Sequence, residues 1–100
     1  MADDRTEYES GDLISDQAIP PGETLSDELH ARKMTQTELA SRMDRPPKVV
    51  SQIIAGKKAI TAETAIQLED ALGGISAMTW LRMEARYRLA LARLAEAGTA

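Results

Sequence analysis

The sequence predicts an all-α fold of five helices. Apolar residues recur at three- and four-residue spacing, β-branched residues come singly or in pairs rather than in alternating runs, and capping residues, Gly and Pro divide the chain at helical intervals. One hundred residues make at most one compact domain. With 43% apolar residues but one Trp, two Tyr and no Phe, the core must be built mainly from Leu, Ile, Val, Ala and Met.

Residues 1–18 hold Asp3, Asp4, Glu7, Glu9, Asp12 and Asp16 against Arg5, a net charge of −5 with few periodic apolar positions. Such a stretch buries too little surface to offset the entropy of ordering, so a disordered acidic tail is expected before a domain over 19–100. Pro20-Pro21-Gly22 then closes the tail, and the run GETLSDELHARK forms the first helix, which places Leu25 and Leu29 four residues apart and ends near Lys33-Met34. Thr35 followed by Glu38 is a capping-box signature, and it starts a short helix from Gln36 to Met43 with Leu39, Ala40 and Met43 inside.

Pro46 disfavours helical geometry in the residue before it, whereas Pro47 suits a first turn, so Asp44-Arg45-Pro46 reads as a break. A third helix is expected from Pro47 to Ala55, with Val50, Ile53 and Ile54 inside and Gly56 as its left-handed stop. Thr61 caps a fourth helix through Leu72 on Ala65, Leu68 and Leu72, and Gly73-Gly74 ends it. The fifth helix, 76–97, has no internal Pro or Gly and is longer than a core of this size needs. Its surplus length predicts dimerisation through Leu81, Leu91 and Leu94 with Tyr87 nearby. Met34, Met43, Met78 and Met83 are expected to fill the core. Trp80 is expected to pack the last helix onto that core, with a dimer or partner interface as the alternative.

Composition narrows the function. Without Cys there is no disulfide or thiolate chemistry, and one histidine, His30, is too few for a histidine-based metal site. No nucleophile stands with a base, and no acids form a catalytic pair, so neither an enzyme nor a cofactor is expected. The N-terminal stretch lacks the basic start and apolar run of a signal peptide, and no segment approaches the length of a membrane span, so a cytoplasmic protein is expected. The net charge of −4 argues against a nucleic-acid partner only until it is mapped. The acidic tail accounts for more than all of it. Within residues 42–58, Arg42, Arg45, Lys48, Lys57 and Lys58 stand against Asp44 alone, a local +4.

Two short helices joined by a tight turn, here 36–43 and 47–55, form a helix-turn-helix pattern, in which the second helix enters the major groove of DNA. The spacing of Gln36, Leu39-Ala40, the turn, Val50, Ile53 and Gly56 resembles the Cro/C1 repressor family, also called the XRE family. That resemblance implies a phosphate contact from Gln36 and base reading from Pro47, Lys48, Val49 and Gln52; Lys57 and Lys58, by their place in the motif, are expected to face phosphates, and Thr35 is counted among the DNA-binding residues. The flanking runs IPPGETLSDEL, GKKAITAETAIQLEDALG and TWLRMEARYRLALARL extend the likeness, over residues 19–94, to the HigA antitoxins. The resemblance implies a homodimer on a palindromic operator that also neutralises a small ribonuclease toxin of the HigB type. The chain departs from the family pattern at Asp44, where Gly is usual, and at Pro46, where a Ser-like cap is usual. A stand-alone repressor of the same family, or a helical adaptor that binds protein and no DNA, are the competing readings. The local +4 favours DNA over the adaptor.

Overall fold

The computed structural model describes residues 18–99. Apart from Ala18, the expected tail lies outside the described residues. Five helices follow in order: α1 (Pro21–Arg32), α2 (Gln36–Met43), α3 (Pro47–Ile54), α4 (Ala62–Leu72) and α5 (Ala77–Thr99). No strand occurs among the described residues.

Most local signals act where the sequence puts them. α1 begins at Pro21, within the segment expected to close the tail, because a first-turn Pro lacks only an N–H that would have had no intrahelical partner. Lys33 ends α1 in the left-handed region, and Met34 donates its N–H to the Leu29 carbonyl at 2.9 Å. Thr61 caps α4 by accepting the Thr64 N–H at 3.2 Å. α3 stops at Ile54, one residue short of expectation: Ala55 caps it in right-handed geometry, and Gly56, at φ 76°, turns the chain out of the helix.

One core binds all five helices. Leu25 and Leu29 meet Leu39, Ala40 and Met43, then Val50 and Ile53, Ala65 and Leu68, and finally Trp80. Ile60, in the loop before α4, joins them although no periodic pattern marks it. Ile54 lies half-buried against this cluster rather than within it, and so do Leu72, Met34 and Met83. Met78 corrects the expectation for the methionines, being 57% exposed. Trp80 is wholly buried, and its indole N–H has no partner.

α3 packs on α2 and α1, while α4 and α5 pack on each other. α1 and α3 approach closely at Gly22. A Cβ added at Gly22 would lie 2.2 Å from the Ile53 carbonyl oxygen and 2.6 Å from the Ile54 Cα. Only a residue without a side chain lets α1 approach the end of α3 so nearly. Arg32 fastens the other end of α1: its guanidinium pairs with Glu28 and donates to the Leu72 and Gly73 carbonyls at 3.3 and 3.0 Å.

Candidate nucleic-acid interface

The side chains implied in DNA contact lie at the start of α2, along α3 and in the loop after it; all are exposed except Val49 and Gln52, which are half-buried. Thr35 starts α2 with a complete capping box. Its hydroxyl accepts the Glu38 N–H at 3.0 Å, and its own N–H donates to the Glu38 carboxylate at 2.9 Å. That backbone N–H, with the hydroxyl second, holds the Glu38 carboxyl below its ordinary range. Thr35 and Gln36 are thereby fixed and exposed at the N-terminus of α2.

Asp44 takes the left-handed conformation, φ 56°, in the turn that follows. A short polar side chain tolerates that geometry, so the motif keeps its turn without the usual Gly. The Arg45 N–H donates to the Ala40 carbonyl at 2.9 Å, and its guanidinium reaches the Gln67 side-chain oxygen at 2.9 Å. The turn is therefore secured to both α2 and α4.

Pro46 precedes α3 without a side-chain cap, and Pro47 is its first residue. The inner face of α3 carries Val50 and Ile53; Pro47 and Lys48 are exposed on the outer face, with Gln52 half-buried. Val49 turns part of its surface to the core, which leaves it a smaller contact area outward. The Gln52 carbonyl accepts the N–H groups of Lys57 at 2.8 Å and Lys58 at 3.2 Å, so the loop folds back onto the end of α3. Both lysine side chains are exposed, as are Arg42 and Lys48.

Sequence reasoning overlooked what holds that loop from behind. Glu84 of α5 is buried, accepts the Ile60 N–H at 3.0 Å and pairs with Arg88. A Cβ on Gly56 would meet the Tyr87 hydroxyl and Pro20, each at 3.5 Å. The i, i+4 spacing of Glu84 and Arg88 was the available signal.

The expected dimer residues divide. Leu81 packs against the core and Tyr87 is half-buried near Gly56, whereas Leu91 and Leu94 are 36% and 52% exposed on the far part of α5. Among the described residues no group of three or more His, Cys, Asp or Glu is placed to hold a metal, and no helix is long and apolar enough to cross a membrane.

Residues 28–78 match the helix-turn-helix family. The chain is 36% identical over 76 residues to virulence-associated protein I of Dichelobacter nodosus, covering 75% of this chain and 69% of that protein. It is 43% identical over 53 residues to virulence-associated protein A of the same organism, a match that spans 53% of this chain and 52% of that protein, about half its length. Among solved structures, the Pseudomonas aeruginosa antitoxin HigA with the higBA promoter superposes with a TM-score of 0.76 at 30% identity, over 83% of this chain and 90% of that one.

Proposed function

The chain belongs to the helix-turn-helix family, and we propose that it is a sequence-specific DNA-binding antitoxin that represses its own HigBA-type module. The observation that carries this reading is the exposed set Thr35, Gln36, Lys48, Lys57 and Lys58, together with the half-buried Gln52, on a frame shared with an antitoxin solved with its promoter. In this reading Thr35, Gln36, Lys57 and Lys58 hold phosphates, and Pro47, Lys48, Val49 and Gln52 meet base edges. A single module of this kind covers a small area of duplex. Pairing through the outer part of α5 doubles the contacts and matches a palindromic operator. A ribonuclease toxin of the HigB type is the proposed protein partner.

Binding isotherms on the chain's own upstream DNA and on a scrambled duplex test the reading. Gln52→Ala should lower operator affinity by about 1–3 kcal/mol and leave random DNA nearly unchanged. Lys57→Ala should weaken both duplexes alike and reduce the salt slope by roughly one unit. Equal losses on both duplexes for Gln52→Ala remove it from the reading set. Failure to retain the product of the adjacent gene in a pull-down leaves a repressor without the antitoxin role.

A further inference from the structure

The chain enters its folded body beside the loop that carries two of the exposed lysines. Pro20 lies against Gly56, and Lys57 and Lys58 follow Gly56 directly. Ala18 is two residues upstream of Pro20, about 7 Å of chain at most. The seventeen residues before Ala18 carry six carboxylates against Arg5, a net of −5, while residues 42–58 carry a net of +4. The most acidic stretch of the sequence therefore enters the fold beside Lys57 and Lys58, the end of its most basic stretch. Seventeen residues reach about 55 Å when extended, and an eight-residue helix such as α3 is only about 12 Å long.

We propose that residues 1–17 dock on the Lys48, Lys57 and Lys58 edge of the helix-turn-helix and compete there with DNA phosphates. The consequence for DNA rests on the function proposed above; the docking does not. Each exposed ion pair is weak, but a short tether holds the carboxylates at a millimolar effective concentration near the lysines. Salt screens the contact over about 8–10 Å. Operator and random duplex must displace the same segment, so docking lowers affinity for both by one common factor.

The first test neutralises the segment within the full chain, as Asp3→Asn, Asp4→Asn, Glu7→Gln, Glu9→Gln, Asp12→Asn and Asp16→Asn together. Affinity for both duplexes should rise by a common factor, on the order of threefold to tenfold at low salt, and the gain should fade as salt is raised. On a Lys57→Ala, Lys58→Ala background the gain should shrink, because the docking partners are gone. A gain undiminished there reports only the change in net charge and overturns the proposal. The second test needs no DNA. The chain has no Cys, so Ser10→Cys accepts a single nitroxide label. It should broaden the amide resonances of Lys57 and Lys58 at low salt, and high salt should abolish the effect. Broadening that grows with protein concentration assigns the contact to a second copy, and no broadening at these lysines overturns the docking. Broadening without binding to any duplex upholds the docking and overturns the DNA reading.

Discussion

The two parts of α5 have similar composition and opposite fates. From Ala77 to Ala90 the helix buries Trp80, Glu84 and Ala90 and presses Leu81 and Met83 onto the core. From Leu91 to Gly98 every side chain is exposed, including Leu91 and Leu94. Both parts are rich in Ala and Leu, so helix propensity does not separate them. What separates them is whether another element lies opposite. The first part answers to the fold, and the second is free to answer to a partner.

The largest break in that comparison should come at Trp80. Trp80→Ala empties the only fully buried aromatic site among the described residues and should cost about 3–5 kcal/mol, seen as a lower midpoint in urea unfolding. A loss below 1 kcal/mol would mean that the inner part of α5 does not depend on this anchor. Trp80→Phe should cost clearly less, since it keeps most of the apolar volume and removes an indole N–H that is buried without a partner.

Two glycines sharpen the contrast. Gly22→Ala thrusts a methyl group into the backbone of Ile53 and Ile54 and should destabilise by about 1–3 kcal/mol, despite the better helix propensity of Ala. Gly98, at the outer end of α5, has nothing within 4 Å of a built Cβ, so Gly98→Ala should leave stability within about 0.5 kcal/mol. Calorimetry on both variants checks the pair. Equal effects would show that the approach of α1 to α3 is not the constraint its geometry implies.

These positions show what local sequence can and cannot reveal. The Thr35–Glu38 capping box, the Pro47 start and the Gly56 stop are decided within a turn of chain, and each was legible. The same signals put Gln36 on α2 and Lys48 and Gln52 on α3, where the structure has them. Met78 was misread because it lies two residues, about 200° of helix rotation, from Trp80. Once Trp80 takes the inner face, Met78 must face water. Ile60 and Glu84 were hidden for another reason: one sits in a loop without period, and the other acquires its role only when α5 crosses behind that loop.

Glu84 gives an intermediate effect. Glu84→Ala strands the Ile60 N–H in a buried place and should cost about 1–3 kcal/mol, whereas Glu84→Gln retains an acceptor and should recover part of that loss. Urea unfolding of the two variants compares them. If Gln is no better than Ala, the pairing with Arg88 rather than the bond to Ile60 carries the stabilisation.

The smallest effect on stability, with a large one on assembly, is expected at the outer end of α5. Leu91→Glu and Leu94→Glu change side chains that already meet solvent, so the isolated protomer should lose no more than about 0.5 kcal/mol each. If these residues form a two-fold seam, however, each substitution places two like charges face to face across it, once from either copy. Dimer formation should then fail under conditions where the protomer stays folded. Light scattering at micromolar concentration, with circular dichroism to confirm the helices, reads the two quantities separately. Unchanged mass for both variants would move the dimer contact to another surface. Loss of mass together with loss of helix would mean that the outer part of α5 contributes to the fold after all, and the division drawn along that helix would fall with it.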